Sequence, residues 1–312
     1  MTAPILPVTL VIVSDFEPGP KTWADEVECL DRCLSDPAGI PAEIVVAASA
    51  ADRDSPPPDW SDCPVPLKLI FVDSTQSGAI KDGATAHASH ALLAVVEADC
   101  NAVPGWLDAL YQVWQADPTL DAVTGLTSYA PTSRMRRVAA LYDRSYLLDR
   151  RKDGSAVHIS NNGALYRREL LERFPFDDGP SPFVTAGRRL KAMRKEKVRI
   201  GLAPKALQYH AYGGSAFIKD LRCNKGLQHM IMRMENRPGE RRALRDLGLI
   251  LREIRSGLRT DFRHLRRHFS TFCKPRDLAL ALIFPFITRT LELRGMQLAL
   301  QGHDSVPETA YR

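Results

Sequence analysis

The sequence predicts an α/β fold in which helices cover both faces of a mostly parallel sheet. Three observations lead to this prediction: short apolar runs of strand length, amphipathic helical segments between them, and carboxylates that directly follow one of the runs. The chain has 312 residues, of which 45% are hydrophobic and 25% charged, so it can bury a sizeable core. This composition excludes a disordered protein.

The strand patterns lie in the first half of the chain. They are apolar runs rich in β-branched residues, and they cover residues 8–14, 43–48, 67–72, 92–96 and 121–125. Because strands that are buried on both faces are apolar throughout, these runs favour a parallel sheet. Ligands of such sheets bind beyond the carboxyl ends of the strands.

Helical patterns separate the strand patterns. Apolar residues recur at helical spacing between Trp23 and Leu34, and a helix of small residues is expected to end near His90. Pro104 is expected in the first turn of a helix that runs to residue 115, because proline fits that position. The polar stretch 129–154 is expected to contain a helix with flexible flanks.

From residue 214 onward the pattern becomes helical and basic. Helices are predicted over residues 217–237, 241–257 and 275–300, so we expect a first domain over 1–213 and a basic amphipathic helical region over 214–312. Residues 278–287 are apolar but reach only about half of the roughly 20 residues that a membrane span needs. We expect them to lie on a membrane or a partner rather than to cross a bilayer.

Arginines crowd the first part of this helical region and alternate with leucine, isoleucine and phenylalanine. They are Arg241, Arg242, Arg245, Arg252, Arg255, Arg259, Arg263, Arg266 and Arg267. The pattern is typical of a basic surface that contacts anionic lipid headgroups at the membrane periphery. The alternative is a solvated face packed on the first domain. Nucleic-acid binding is disfavoured, because few aromatic residues are available for base stacking.

The cysteines and the N-terminus favour a cytoplasmic protein, peripheral on the inner face of the membrane if the basic region binds lipid. Six cysteines are scattered without a C-x-x-C pair or histidines at zinc-ligand spacing, so reduced thiols are expected. Residues 1–7 lack the basic segment and the long apolar segment of a signal peptide.

Glu97 and Asp99 stand one residue apart, directly after the apolar run 92–96. Two carboxylates at a strand end form a natural site for Mg²⁺ or Mn²⁺, hard cations that share their ligands with phosphates. The alternative is that both residues cap the turn before Pro104. Phosphate-loop, dinucleotide-binding, G-x-S-x-G and H-E-x-x-H motifs are absent from the sequence.

Residues 93–99 (L-A-V-V-E-A-D) and 103–107 (V-P-G-W-L) resemble the D-x-D region of family 2 glycosyltransferases of the GT-A type. The similarity covers roughly residues 6 to 230. It implies a GT-A-type, Rossmann-like mixed sheet, with 1–213 as the catalytic domain and a divalent metal, Mg²⁺ or Mn²⁺, as cofactor. It also implies transfer of a sugar, with inversion, from a UDP- or GDP-sugar to a glycan or lipid-linked acceptor, in the synthesis of cell-surface polysaccharide or glycolipid.

The resemblance implies the donor-side residues one by one. Residues 80–82 (I-K-D) stand where the family has A-R-N, so Lys81 would contact the nucleotide together with Glu97. A solvated lysine at a helix start is the alternative for Lys81. Asp15 or Glu17, in the loop after the first strand, would hydrogen-bond the base.

The resemblance also implies metal and acceptor residues. His210, which follows the segment 204–206 (P-K-A), would bind the metal with Glu97 and Asp99, although a lone histidine is often structural. Asn162, within a segment that resembles one ending in F-R-R, would lie on the acceptor side. Trp106 of the P-G-W-L motif is assigned to the same side.

Two departures from the family put activity in question. Residues 46–49 (V-A-A-S) stand where the family has V-D-D-G-S, so a nucleoside-contacting aspartate is missing and Asp73 is one substitute.

Pro182 and Phe183 replace the Glu-Asp pair that contains the catalytic base, and neither residue can take a proton. Asp178 and Asp177 are the candidate replacements, although the segment 176–180 (F-D-D-G-P) is also ideal for a turn. A catalytically degenerate protein of the same fold, which binds sugar nucleotides or assists assembly, is therefore the alternative to a transferase.

Overall fold

The computed structural model describes residues 3–14, 21–176, 179, 181–236 and 247–306. The chain forms two compact units. The first comprises Met1–Ser128, Leu147–Asp178 and Arg189–Ala211, and the second comprises Tyr129–Tyr146, Gly179–Arg188 and Tyr212–Arg312. The division of the chain at residue 213 stays a prediction.

The first unit is built on one eight-stranded sheet. Its strands are β1 (Ile5–Val13), β2 (Ile40–Ser49), β3 (Leu67–Val72), β4 (Leu92–Glu97), β5 (Cys100–Ala102), β6 (Ala122–Ser128), β7 (Gly163–Arg167) and β8 (Ile200–His210). Their order is β3-β2-β1-β4-β7-β6-β8-β5. Neighbours pair in parallel except at β4–β7, β6–β7 and β5–β8. The predicted mixed, mostly parallel sheet is confirmed.

The α-helices follow the chain in the order that the sequence patterns indicate. They are α1 (Ala24–Leu34), α2 (Ser77–His87), α3 (Trp106–Ala116), α4 (Arg134–Asp143), α5 (Arg168–Arg173), α6 (Pro182–Lys195), α7 (Gly214–Asn236), α8 (Leu247–Phe272) and α9 (Leu278–Leu300). Short 3₁₀ helices cover Ala50–Asp52, Ser145–Leu148 and Pro275–Asp277. None of the described helices combines the length and the apolarity that crossing a membrane requires.

Alternate residues of the central strands feed two hydrophobic clusters. On one face of the sheet, Leu10 of β1 packs in a cluster with Leu30 of α1 and Leu110 of α3. On the other face, Val11 packs in a cluster with Ile80 of α2. Because side chains alternate between the two faces of a strand, burial on both sides explains why these strands are mainly apolar.

Two predicted helix boundaries are wrong, and the helix predicted within residues 129–154 is present. Pro104 lies in a turn, and α3 begins only at Trp106, because Gly105 takes the left-handed conformation (φ 83°) just before it. The polar stretch 129–154 holds a helix, α4, that starts where the Ser133 hydroxyl accepts a hydrogen bond from the Arg136 N–H. The helix expected to end at Gly257 instead continues to Phe272, and residues 241–246 of that prediction lie outside the described residues.

The second unit is helical and contains paired charges in its interior. Gly226 of α7 and Gly295 of α9 allow the two helices to approach closely, because a Cβ at either position meets the backbone of the other helix. The Arg222 guanidinium, 1% exposed, pairs with Asp143 at 2.5 Å and with Glu292 at 3.1 Å.

All six cysteines are free thiols, as expected.

Candidate functional site

A group of acidic and metal-binding side chains lies at the carboxyl end of β4. Glu97 is the last residue of β4, and a turn through Ala98 and Asp99 leads into β5. The Ala98 N–H donates to the Val13 carbonyl oxygen at 2.8 Å, and the Asp99 carbonyl accepts from the Ala211 N–H at 3.1 Å. These bonds hold the turn at the edge of the sheet where ligands of such folds bind.

The pairing of β5 with β8 brings His210 to the two carboxylates. Cys100 and His210 are direct partners across the antiparallel pair. One ligand atom from each of Glu97, Asp99, Cys100 and His210 lies within 4.8 Å of the others. The structure therefore brings together the three residues predicted to bind the metal and adds Cys100, which the sequence analysis did not single out.

The environment of the His210 ring indicates which nitrogen faces a cation. Nδ1 lies 2.7 Å from the Ala211 carbonyl oxygen and 3.4 Å from Asp99 Oδ2, and both of these oxygens accept hydrogen bonds. A proton on Nδ1 is donated to the Ala211 carbonyl, and Nε2 then faces Glu97 Oε2 at 3.8 Å. In this tautomer Nε2 is the ring atom that can bind a cation.

Glu97 is held as a carboxylate by three donors. Lys81 Nζ lies 2.5 Å from its Oε1, the Ser77 hydroxyl donates to the same oxygen at 3.2 Å, and Asn162 Nδ2 donates to Oε2 at 2.7 Å. Burial raises the pKa of Glu97, but the charges of Lys81 and His210 and the hydrogen bonds outweigh it and lower the pKa to about 2. Glu97 is therefore ionised at neutral pH.

A buried polar network orients Asn162 towards Glu97. The Asn162 Oδ1 accepts a hydrogen bond of 2.8 Å from the Ser160 hydroxyl, which fixes which end of the amide faces the carboxylate. The Ser160 Oγ and Thr127 Oγ1 atoms lie 2.8 Å apart. The Gln208 side-chain amide donates to the Thr127 hydroxyl and to the main-chain carbonyl of Asn162. Thr127 and Gln208 are fully buried. The sequence analysis missed Thr127, Ser160 and Gln208. Thr127 and Gln208 could have been found as polar residues inside otherwise apolar strands.

The structure places the other predicted residues in different ways. Lys81 and Asn162 meet at Glu97, as described above. Trp106 is 1% exposed and lies in the hydrophobic cluster on one face of the sheet, and its acceptor-side role stays a prediction. Asp73 is exposed in the loop after β3. Four candidates, Asp15, Glu17, Asp177 and Asp178, lie outside the described residues.

The donor atoms of this group fit a divalent cation. Asp99 supplies a carboxylate, a ligand that suits Mg²⁺ and Mn²⁺, and His210 supplies an imidazole, a ligand of transition-metal ions. Both oxygens of Glu97 already accept hydrogen bonds from protein donors. Asp99 and His210 are therefore the side chains best placed to hold the ion, with Glu97 beside them.

Comparisons with known proteins bear on the fold. No protein-family model matches the chain, and no curated protein matches it. A mannosyltransferase from Pyrobaculum calidifontis, solved in complex with GDP-Man and Mn²⁺, is similar in structure with a TM-score of 0.55 and 20% sequence identity. The alignment covers 95% of this chain and 88% of that one.

A second solved structure is more distant. Glucosyl-3-phosphoglycerate synthase from Mycobacterium tuberculosis, in complex with Mn²⁺ and UDP-Glc, has a TM-score of 0.45 and 15% identity, over 70% of this chain and 77% of that one. The fold comparison therefore rests on the mannosyltransferase. Together with the sheet order and the carboxylates at the end of β4, it shows that the chain has a GT-A-type fold like that of nucleotide-sugar transferases.

Proposed function

We propose that this protein is a glycosyltransferase that moves a sugar, with inversion, from a nucleoside-diphosphate sugar to a glycan or lipid-linked acceptor. The observation that carries the proposal is the group of Glu97, Asp99, Cys100 and His210 at the carboxyl end of β4. The supporting context is the GT-A-type fold and the buried Lys81–Glu97 pair beside the group. We place this reaction in the synthesis of cell-surface polysaccharide or glycolipid.

On the donor side, the chain's residues position a diphosphate. Asp99 and His210 would hold Mg²⁺ or Mn²⁺, which would neutralise the charge that develops on the departing nucleoside diphosphate. Glu97, fixed by Lys81 and Asn162, completes the polar rim of the site. UDP and GDP are the proposed nucleotides, and Asp15 or Glu17 is assigned to the base edge.

On the acceptor side, inversion needs a carboxylate that removes the proton of the attacking hydroxyl, a contribution of roughly 10² to 10⁴ in rate. Pro182 and Phe183, the first two residues of α6, cannot supply it. We assign the base to Asp178, with Asp177 as the second candidate. The bond from the acceptor oxygen to the anomeric carbon forms as the bond to the diphosphate oxygen breaks, and the hydroxyl proton passes to that carboxylate.

Calorimetric titration with UDP, GDP and dTDP, with and without Mn²⁺, tests the donor site. We expect at least one nucleotide to bind only with metal, and Asp99→Asn to lose at least tenfold in affinity because a charged ligand is removed. Asp62→Asn, which removes an exposed carboxylate, is the matched control and should bind as the wild type does. Equal binding with and without metal, or none at all, contradicts the proposal.

A second candidate is a catalytically degenerate protein that binds sugar nucleotides or assists assembly. It is favoured by two positions where the resemblance implies acidic residues: Ala47, buried in β2, and the Pro182–Phe183 pair. Nuclear magnetic resonance of UDP- and GDP-sugars incubated with the protein separates the candidates. Release of the sugar, or transfer with inverted anomeric configuration, supports the transferase, and tight metal-dependent binding without turnover supports the second candidate.

A further inference from the structure

The outer face of α9 carries a concentrated group of exposed apolar side chains, which we call the α9 patch. Its members are 42–56% exposed: Leu278, Leu282, Ile283, Phe286 and Ile287. They recur at i, i+4, i+5, i+8 and i+9, so they share one broad face of the helix. Phe262 of α8 extends the patch, since its ring packs edge-on against Phe286 with the centroids 6.1 Å apart. Apolar exposure of this kind marks an interaction surface.

The second half of α9 is fixed within its own unit by buried charges. Arg289 pairs with Asp261 of α8 at 2.8 Å, and Glu292 pairs with Arg222 of α7 at 3.1 Å. Moving α9 into a bilayer would carry Arg289 and Glu292 into hydrocarbon without these partners, which is costly. Within α9, the α9 patch is therefore the surface that can enter an apolar phase, and α9 can lie in an interface without crossing it.

Exposed arginines lie to one side of Phe262 on α8. At about 100° per residue, they fall roughly 20° to 140° around the helix axis from Phe262, all in the same direction. The exposed members are Arg252, Arg255, Arg259, Arg263, Arg266 and Arg267. The two acidic residues of α8, Glu253 and Asp261, are engaged in ion pairs with Arg233 and Arg289. The exposed charge of the helix is therefore positive.

We propose that the α9 patch and the α8 arginines together bind the surface of an anionic lipid bilayer. The patch enters the boundary between headgroups and acyl chains, and the arginines pair with lipid phosphates and carboxylates. A second copy of the chain fits less well, because a two-fold contact sets like patches together and brings the arginine rows of both copies close. A nucleic acid would pair with the arginines but leave the five apolar side chains without an apolar phase.

Sedimentation of the full chain with lipid vesicles tests this proposal independently of sugar transfer. We expect binding to phosphatidylcholine vesicles that contain phosphatidylserine, weakening with salt, and much weaker binding to pure phosphatidylcholine. Ile283→Ser with Phe286→Ser should reduce the partition to anionic vesicles at least tenfold. Ile5→Ser, an exposed apolar position on β1, is the matched control and should leave binding unchanged.

The arginines are tested by a second pair of variants. Arg255→Gln with Arg259→Gln should lower binding to anionic vesicles about 25-fold, or about fivefold for each arginine near the surface. Arg150→Gln, which removes an exposed arginine of the first unit, should have no such effect. Circular dichroism verifies that each variant is folded. The proposal is overturned if the wild type and both double variants bind anionic vesicles equally. It is also overturned if vesicle binding is absent and the chain instead self-associates or binds DNA in a way that the same double variants abolish.

Discussion

Lys81→Met tests the ion pair that sets the charge of the candidate site. Lys81 Nζ lies 2.5 Å from Glu97 Oε1, and the two side chains are 5% and 15% exposed. Methionine keeps most of the length and the packing of the lysine stem but removes its charge. Glu97 then remains a largely buried carboxylate without its closest positive partner, so we expect its pKa to rise from about 2 and the fold to lose stability.

The expected loss of stability is worked out from the pKa of Glu97, which the net effect of its surroundings lowers from 4.5 to about 2. One pKa unit corresponds to about 1.4 kcal/mol, so the carboxylate contributes about 3 kcal/mol to folding. This contribution is fully present above pH 4.5 and is lost as the pH falls through about 2. Removing one partner of a buried pair costs about 3–5 kcal/mol, and we expect about 3 kcal/mol for Lys81→Met at pH 7 because Asn162 still donates to Glu97.

Urea unfolding without added metal measures this effect. Glu97→Gln combined with Lys81→Met should recover much of the loss, because no unpaired charge then remains. Lys152→Met, at an exposed position, is the control and should stay within about 0.5 kcal/mol of the wild type. The reasoning is refuted if Lys81→Met and Lys152→Met are equally stable, or if Glu97→Gln gives no relief.

Three further predictions concern two buried contacts of the second unit and the thiol of the candidate metal site. Asp143→Asn should cost about 3–5 kcal/mol at pH 7 in urea unfolding, because fully buried Arg222 loses a partner at 2.5 Å, while Asp54→Asn at the surface should be neutral. Gly295→Ala should cost about 1–3 kcal/mol or more by the same measurement, because its Cβ meets the backbone of α7; unchanged stability would contradict the close helix approach. Cys100→Ser should abolish the thiolate charge-transfer absorption expected with Cd²⁺ but change Mn²⁺ affinity little, since the hard ion prefers oxygen.

The central part of the fold could be predicted because its strands are buried on both faces. Strands β1 to β4 and β6 each overlap a mainly apolar run, because most apolar residues of the inner strands face one of the two hydrophobic clusters. The periodic pattern of α1 and the change to basic helices after residue 213 could also be predicted from the sequence. These features depend on local pattern, which a single sequence contains.

The antiparallel part of the sheet was not visible in the same way. Strand β5 has three residues, too few for any period, and it forms because Cys100, Asn101 and Ala102 pair with the end of β8. Strand β7 lies between β4 and β6, although about 35 residues or more separate it from each of them in the chain. Pairing at such distance depends on the tertiary fold and leaves little trace in local composition.

The same distinction separates the predicted and the missed residues of the candidate site. Glu97 and Asp99 could be found because polar residues directly after an apolar run stand out, and His210 was reached through the resemblance. Cys100 could not be found in the sequence, because a lone cysteine in a strand has the pattern of a core residue.

Asn162 illustrates what the structure adds to a predicted residue. The sequence assigned it to the acceptor side, whereas its amide donates to Glu97 at 2.7 Å and is held in that direction by Ser160. Substitution by aspartate would place a second carboxylate against Glu97 and raise the pKa of one of the two. Loss of metal-dependent nucleotide binding in Asn162→Asp, with retention in Asn162→Ser, would identify the residue as one that sets the charge of the donor site. Retention in both variants would leave the acceptor side as its place of action.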